Sequence, residues 1–578
     1  MTVRALAGLT VLNLLLAVLG TGVLYALRPR SSRRELVRLV GVSYLLGVAS
    51  LMVALTLLIV LGIPVNLLST VLVGAALFAA AWILGRRRRT SEPVSEEAGG
   101  PLLSIWSAAL FALLAVCLEA IFRKGRLQGL IEFDGWDSWG PRAKALYHFG
   151  HLDPHFLDGL PGGSYPPGLP ALLATGLHSI GSADVVTLHV QYCFLGVGFI
   201  AALIGLLATR VAPVLLLPFA LLVFVLPDIR SRSVDMYGDL PLGFLVATAA
   251  LLVGLWLLER RHWQLPAASL LLAAAALTKR EGVILAGCIV VSALVASGSR
   301  ARSDWPRLLA VFLSAVAVAF VWQIWLWAHG LRGNGPTGGL SFLTDARRGW
   351  DSVHVVLNNL FTFDLWLLSL TIAIAAAALC LLVRAWRLAS YLGTLIVADV
   401  LGCALILWSD SNLQLTDVNV VSRLVGTVAL SVVALTPLAL QRAWAAQDGT
   451  RRTVPSTRRP VWQLAFAWLL LAAGAIAYPA TLLAENGARF PKDSDCIRAP
   501  SPGQAVLVVF GHPSSYADAM RLKTRALTIG ANPVQVAQDG CGRVRVSVAA
   551  SSLAAAAAIV GRARAAGLAP SLEASPPA

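Results

Sequence analysis

Long apolar stretches separated by short polar loops make up most of this chain of 578 residues. A helix needs about 20 apolar residues to cross a hydrocarbon core. By that rule we predict about fourteen membrane-spanning helices, at 5–27, 39–62, 65–85, 102–123, 186–208, 211–227, 239–258, 266–278, 282–298, 307–328, 364–384, 388–408, 424–441 and 461–483. A further apolar stretch at 169–182 is short and flanked by prolines, which favours a re-entrant or interfacial segment.

The composition is that of a polytopic membrane protein. The mean hydropathy is +0.75, and 57% of the residues are hydrophobic against 13% charged. The formal net charge is +16, but the basic residues are scattered between the spans and form no single patch. That distribution is not typical of a nucleic-acid-binding protein, so we expect no nucleic-acid partner.

Arginine-rich loops predict the orientation. Arginines follow the first and third spans, at 28–38 and 86–89, and later arginine clusters fall on the same side if every span crosses. The positive-inside rule makes that side cytoplasmic. The Ala- and Arg-rich, Lys-poor usage is typical of a high-GC bacterium such as an actinobacterium, so we expect a multi-pass protein of a bacterial plasma membrane. The extracytoplasmic parts would be the loop with Asp134, the loops 227–239, 329–363 and 409–423, and the C-terminal tail.

The first of these outside loops holds the strongest chemical signal. In 133–139 (FDGWDSW), Asp137 lies between Trp136 and Trp139, and Asp134 lies three residues before it. A carboxylate beside apolar rings at a membrane surface is a candidate general base. The alternative is interfacial tryptophan anchoring with a solvated aspartate.

Two further outside motifs place charges at helix ends. The segment 277–282 (LTKREG) interrupts two short apolar runs with Lys279, Arg280 and Glu281. A broken helix pair can present such charges to a ligand; a tight hairpin with Glu281 paired to its neighbours is the alternative. Asp239, at the start of a span, is interpreted either as a helix cap or as a member of the site.

Several cations would lie on the outside, including Arg142 and Arg423. Positive charge beside carboxylates at the outer face suits a lipid phosphate, although contact with ordinary anionic lipid is the alternative. Arg423 is either a snorkelling anchor or a phosphate ligand.

Histidine and cysteine give weaker signals. His148, His151 and His155 have no spacing that suits tetrahedral zinc, so we predict no metal site. Five cysteines lie in apolar spans and are interpreted as small core residues, whereas Cys496 and Cys541 lie in the outside tail, where a disulfide is permitted.

The tail predicts a small soluble fold. Strand-like runs at 505–510, 533–537, 544–548 and 570–572 alternate with helical stretches at 516–529 and 551–566. This β-α-β-β-α-β order predicts an α+β domain of the ferredoxin type.

The motifs together resemble a known family. The segments 136–147 (WDSWGPRAKALY) and 165–170 (YPPGLP) resemble the first outside loop of polytopic GT-C glycosyltransferases, the relatives of protein O-mannosyltransferases and of the lipid A aminoarabinose transferase. The segments 237–241 (YGDLP) and 277–282 resemble two later signatures in the same order, and Arg423 resembles a third. The resemblance covers residues 101–440, approximately.

The resemblance implies an all-α GT-C-type membrane enzyme. Such an enzyme moves a sugar, with inversion, from a polyprenyl-phosphate donor to an extracytoplasmic glycan, lipid or protein acceptor. Carried onto this chain, Asp137 is the leading general base, and Asp134 is either its reserve or a contact to a metal or to the acceptor. The residues implied to bind the donor phosphate are Lys279, Arg280, Arg423 and Arg142, and the other implied site residues are Trp136, Trp139, Tyr165 and Asp239.

The chain departs from the family pattern in two places. It has Tyr165 where the lipid A relatives have a lysine, and it lacks the Asp-Glu dipeptide of many relatives. We expect no cofactor.

We therefore expect four parts. Residues 1–98 would form three accessory helices and a linker, 99–484 the GT-C-like core, 485–502 a second linker and 503–578 an extracytoplasmic domain. Within the last part, 519–527 (AMRLKTRAL) and 542–546 (GRVRV) resemble a SPOR domain, which implies peptidoglycan as a partner; an inert stabilising domain is the alternative.

Two other classes of function remain open at this point. A lipid-linked saccharide transporter or flippase would predict internal repeats and charges near the bilayer midplane. No clear repeat is evident, and the charges concentrate at outer helix ends. A non-catalytic scaffold with a wall-binding tail would leave the clustered carboxylates unexplained.

Overall fold

The computed structural model describes residues 3–29, 31–87, 105–127, 132, 134–160, 162–331, 339–410, 413–447, 506–513, 516–538 and 544–574. Helices of the apolar part are α1 (Val3–Leu27), α2 (Arg33–Arg38), α3 (Val40–Val60), α4 (Leu67–Arg87), α5 (Ile105–Leu127), α6 (Gly140–Phe149), α7 (Pro154–Asp158), α8 (Gly168–Ile180), α9 (Val185–Leu188), α10 (Val190–Leu207), α11 (Pro213–Val225), α12 (Pro227–Arg232), α13 (Asp239–Glu259), α14 (Gln264–Thr278), α15 (Glu281–Ser297), α16 (Ala301–Ala328), α17 (Ala346–Leu360), α18 (Phe363–Trp366), α19 (Ser369–Leu382), α20 (Trp386–Ser409) and α21 (Val418–Gln447). A π-helical turn spans Gly135–Trp139, and short 3-10 turns span Gly298–Arg300 and Gly339–Thr344.

Within the described residues, eight helical stretches are long and apolar enough to cross a membrane. They are α1, α3, α4, α10, α13, the stretch 281–328 that contains α15 and α16, α20 and α21. Predicted spans at 211–227, 266–278 and 364–384 correspond to shorter apolar helices, α11, α14 and α19. The protein is therefore a helical membrane protein, while the number of fourteen spans stays a prediction and the predicted span at 461–483 lies outside the described residues.

Helix α13 is the centre of the bundle. Its apolar window is 100% buried, and it packs against α10, α14, α15, α20 and α21. An apolar helix without a polar face fits a position surrounded by other helices. Its first residue, Asp239, therefore lies at one end of the bundle and Glu259 at the other.

The first helices pack on the rest of the bundle. Helices α1 and α3 approach so closely that a Cβ at Gly20 would lie 1.6 Å from the carbonyl oxygen of Ser43, as expected for small residues at a membrane-helix crossing. A buried polar cluster of Asn13, Tyr44 and Gln191 then connects α1, α3 and α10, with Asn13 and Gln191 amides paired at 2.9 Å. A buried polar network of this kind favours one packing arrangement.

The segment expected to be re-entrant or interfacial forms a short helix in the bundle. Helix α8 packs against α1, α3 and α6, and ten successive residues from Gly168 to Leu177 are buried. It ends at Gly181, whose positive φ of 79° is the left-handed conformation that glycine favours at a helix C-terminus.

The described part of the tail is a four-stranded antiparallel sheet with two helices. Its elements are β1 (Val506–Gly511), α22 (Tyr516–Thr528), β2 (Val534–Gln538), β3 (Val544–Ala550), α23 (Leu553–Ala565) and β4 (Ser571–Ala574). The strand order is β2-β3-β1-β4, and alternate residues of β1, such as Val506, Val508 and Phe510, belong to its core. The order of elements along the chain agrees with the predicted one.

Candidate functional site

A cavity of about 690 Å³ lies where α13, α15 and α21 begin and α20 ends. Its lining consists of Asp134, Ser138, Gly162, Tyr165, Tyr237, Asp239, Lys279, Arg280, Glu281, Ile284, Ile406, Ser409, Asp410, Leu413, Asp417, Asn419, Val420, Arg423 and Leu424. Six of the ten site residues implied by the sequence resemblance are in this set. Five carboxylates and three cations give the described lining residues a formal charge of −2.

Five of these residues form a chain of alternating charge. Asp239 Oδ1 accepts from Lys279 Nζ at 2.8 Å, and its Oδ2 accepts from Arg423 Nε at 3.0 Å. Arg423 also donates to Asp134, and Lys279 Nζ lies 3.5 Å from Glu281 Oε1. Each cation therefore lies between two carboxylates, which offsets the cost of burying these charges.

The position of Asp239 bears on its two sequence interpretations. It is the first residue of α13, after Gly238, and Gly238 makes no side-chain cap. Both carboxylate oxygens are engaged by side chains, one by Lys279 and one by Arg423. The structure thus places Asp239 in the charged cluster.

The hairpin between α14 and α15 shows how Lys279 reaches that cluster. Lys279 is extended, with φ −147° and ψ 153°, and ends α14. A Cβ at Gly282 would lie 2.5 Å from the backbone of Ala275, so this close turn requires glycine. The tight hairpin considered from the sequence is present, with Lys279 Nζ 3.5 Å from Glu281 Oε1. Presentation of these charges to a ligand stays a prediction.

Aromatic rings form one side of the site. Trp139, fully buried, stacks on Tyr165 with ring centroids 5.5 Å apart. Lys279 Nζ and the Arg280 guanidinium lie 5.6 Å and 5.3 Å from the Tyr165 ring centre. These are cation–π distances. The pKa of Tyr165 is raised, first by the nearby Glu281 carboxylate and then by burial.

Arg142 is buried behind this wall and does not line the cavity. Its guanidinium donates to the carbonyl and hydroxyl of Ser138 at 3.1 Å and 2.7 Å, and to the carbonyl of Tyr165 at 2.9 Å. Burial lowers its pKa to about 9, so the group is still a cation at neutral pH. In this arrangement Arg142 fixes the turn before α6 to the Tyr165 segment; contact with a donor phosphate stays a prediction.

The sequence interpretation missed Glu132 and His189. Glu132 Oε1 accepts from the backbone N–H of Met236 at 2.6 Å and lies 3.0 Å from His189 Nε2. Burial raises the pKa of Glu132, but the contacts with His189 and the Met236 N–H outweigh it and hold that pKa below its ordinary value. Glu132 thus joins the segment before Asp134 to the segment before Asp239; the available signal was a third carboxylate in the same loop.

For the leading predicted base, Asp137, the structure describes the backbone. Asp137 and Trp136 belong to the π-helical turn, but their side chains lie outside the described residues. Their roles stay predictions. The reserve carboxylate, Asp134, lines the cavity and is held by Arg423.

The loop before α21 supplies a polar rim that sequence reasoning marked only as an outside loop. Asp410, Asp417 and Asn419 line the cavity there. Asp417 caps α21 by accepting the N–H of Asn419 at 2.9 Å. Arg348 on α17 donates to the carbonyls of Leu407 and Asp410 at 2.9 Å and 2.8 Å, which fixes this rim to a neighbouring helix.

Among the described residues, no group of three or more His, Cys, Asp or Glu side chains could hold a metal ion. The described cysteines are free, and Cys496 and Cys541 lie outside the described residues. No family model, curated protein or solved structure matches the chain.

Proposed function

We propose that this protein is a GT-C-type glycosyltransferase that uses a polyprenyl-phosphate sugar as donor. One observation carries the proposal: three cations and a set of carboxylates, far apart in sequence, meet in one cavity at the ends of apolar helices. Lipid phosphate recognition needs cations next to apolar surface, and Lys279, Arg280 and Arg423 lie beside Ile284 and Leu424 in this lining.

The transfer would proceed by a single displacement. The general base removes the proton from an acceptor hydroxyl, and that oxygen attacks the anomeric carbon. The bond from the anomeric carbon to the phosphate oxygen breaks, and the polyprenyl phosphate leaves with the electron pair. Cations at the phosphate stabilise the charge that develops on it, which is the role proposed for Lys279, Arg280 and Arg423.

Asp137 is the proposed base, on the strength of its motif. Asp134 is less suited to this role in the present arrangement, because Arg423 already holds its carboxylate. A base needs hydrogen-bond reach to the acceptor proton, and the contact with Arg423 occupies an Asp134 oxygen that would otherwise be available for it.

The rim residues Asp410, Asp417 and Asn419 are proposed to bind sugar hydroxyls, since carboxylates and amides accept and donate the hydrogen bonds that hydroxyls need. Two of these rim residues, Asp410 and Asp417, are carboxylates. We therefore expect neutral or amino sugars to be used in preference to uronic acids, whose carboxylate would meet like charge at this rim.

The positive-inside rule supports an extracytoplasmic placement of this site and of the tail. In this proposal the SPOR-like tail binds peptidoglycan strands near the acceptor. A lipid flippase remains the principal rival, and it differs in a measurable way because it moves a lipid-linked sugar without forming a new glycosidic bond.

The test is an assay of purified, reconstituted protein with a panel of radiolabelled polyprenyl-phosphate sugars and cell-wall acceptors. Asp137→Asn keeps the shape of the side chain but removes the base, so transfer should fall by about 10²–10⁴-fold. Asp158→Asn is the matched control, because Asp158 is an exposed carboxylate at the end of α7. It should leave the rate unchanged.

Transport of labelled donor across vesicles without product would refute the proposal in favour of a flippase. Full activity of Asp137→Asn together with an inactive Asp134→Asn would move the base to Asp134.

A further inference from the structure

A second cavity, of about 610 Å³, lies at the opposite end of α13 from Asp239. It is formed by the end of α13, the start of α14 and the start of α16, through residues such as Trp256, Leu265 and Arg307. Helix α13 has 21 residues, so the two cavities are about 30 Å apart at 1.5 Å per residue. That is the thickness of a hydrocarbon core, and a membrane-spanning α13 would present the two cavities to opposite surfaces.

The lining of this second cavity is basic. It contains Arg260, Arg300 and Arg307, with Asp304 as its one carboxylate among the lining residues described, so its formal charge is +2 with His262 neutral. Arg300 and Arg307 are exposed. The described lining of the first cavity has the opposite net formal charge.

Arg260 is held in a fixed orientation within this lining. Its Nη1 donates to Asp304 Oδ2 at 2.7 Å, and its guanidinium carbon lies 4.2 Å from the ring centre of Trp256. Its Nε and Nη2 are buried and have no hydrogen-bond partner among the described residues. These two N–H groups lie in the guanidinium plane on the same edge of the group, and such a pair matches two oxygens of a phosphate.

The rest of the lining suits a lipid more than a free ion. Leu265, Pro266 and Val311 provide apolar surface next to the arginines, and Trp305, 49% exposed, lies on the same first turns of α16. A tryptophan at this place is typical of a membrane interface. A free phosphate gains nothing from contact with apolar surface, whereas the glycerol and upper acyl chains of a phospholipid pack favourably against it.

We propose that this cavity binds the phosphate of an anionic phospholipid headgroup. Arg260 engages the phosphate through Nε and Nη2. Arg300, in the 3-10 turn before α16, and Arg307, on α16, add positive charge. The arginine-rich surface on which it lies is the one that the positive-inside rule makes cytoplasmic, where anionic lipids are concentrated in the neighbouring leaflet. The site does not depend on the proposed transfer activity.

The test uses full-length protein in nanodiscs of equal parts phosphatidylglycerol and phosphatidylcholine, with retained lipid counted by native mass spectrometry. Arg300→Gln with Arg307→Gln should lower retained phosphatidylglycerol by about tenfold, the equivalent of about 1.4 kcal/mol. The matched control is Arg86→Gln with Arg87→Gln, which removes two exposed charges from the end of α4. The control should retain phosphatidylglycerol at the parent level.

Arg260→Lys tests the geometry separately, because lysine keeps the charge but loses the paired N–H groups. Retained phosphatidylglycerol should fall in this variant too, and the amount of retained phosphatidylcholine should change in none of the variants.

Equal losses of phosphatidylglycerol in the α4 control would show general attraction between charges and overturn the site. Displacement of the lipid by millimolar inorganic phosphate at constant ionic strength would overturn the lipid assignment in favour of a free-phosphate site. Melting curves of each variant confirm folding, and unchanged retention in both folded site variants would refute the proposal.

Discussion

Asp239→Asn is the most direct test of the charged cluster. The substitution keeps the size of the side chain and removes its charge, while Lys279 and Arg423 stay in place. Asp239 is 6% exposed and Lys279 4% exposed, so bulk water does not solvate either charge. Removing one partner of a buried ion pair typically costs about 3–5 kcal/mol, because the other charge is left uncompensated.

The cluster itself indicates where in that range the loss should fall. Lys279 retains Glu281 at 3.5 Å, and Arg423 retains Asp134. Each cation thus keeps one carboxylate partner. We therefore expect the free energy of unfolding to fall by an amount near the lower limit of that range, about 3 kcal/mol. Asp351→Asn, an exposed carboxylate on α17, is the control and should change stability by less than about 0.5 kcal/mol.

The assay is reversible unfolding of the detergent-solubilised protein, measured for Asp239→Asn, Lys279→Gln and the double variant. Contacting residues in one network typically show coupling of about 0.5–3 kcal/mol. The double variant should therefore cost less than the sum of the two single variants. Additive losses, or a stability of Asp239→Asn equal to that of the control, would refute the assignment of Asp239 as the centre of the cluster.

Three further predictions follow from other features. Lys279→Gln should raise the KM for the donor more than the KM for the acceptor, and an unchanged donor KM in steady-state kinetics would limit Lys279 to its structural contacts. Glu132→Gln should lower the free energy of unfolding by about 1–3 kcal/mol at neutral pH. Because the pKa of Glu132 in the folded protein lies below its ordinary value of 4.5, the difference between variant and parent should shrink as the pH falls through that lowered pKa. An equal difference at all pH values in chemical denaturation would contradict this. A membrane-impermeant thiol reagent on intact cells should label Cys496 and Cys541 only after reduction; a tail protected from it in intact cells and reached only after lysis would overturn the predicted orientation.

The apolar pattern predicted the long apolar helices among the described residues, because it is a local property. A run such as 239–258 has no polar face, and the structure places α13, nearly the same segment, at the centre of the bundle. The elements of the tail were predicted for the same reason, since the apolar strand-like run at Val506–Gly511 and the helical periodicity of Tyr516–Thr528 each depend on neighbours a few positions away. The local apolar pattern did not decide how many helices cross the membrane. Helices α11 and α14, for example, are apolar but short.

The sequence predicted which residues line the cavity better than it predicted which residues they contact. The motifs marked Asp239, Lys279 and Arg423 as charged residues at helix ends, and all three line one cavity. Arg142 carries the same charge and lies in the same motif as Trp139, yet its donors are used on Ser138 and the Tyr165 carbonyl. Whether a cation faces a cavity or the protein depends on the helix that packs beside it, and no spacing rule encodes that.

The helical membrane character, the small sheet domain and the polar residues at the helix ends can all be predicted from the amino-acid sequence. The partners of those polar residues depend on how the helices pack: Asp134 contacts Arg423 across 289 positions, and Glu132 contacts His189 across 57. The difference lies in the range over which each interaction acts. Hydrophobic periodicity and turn chemistry act over a few residues along the chain. The hydrogen bonds and ion pairs of the site act over about 3 Å in space, between segments brought together only when the helices pack.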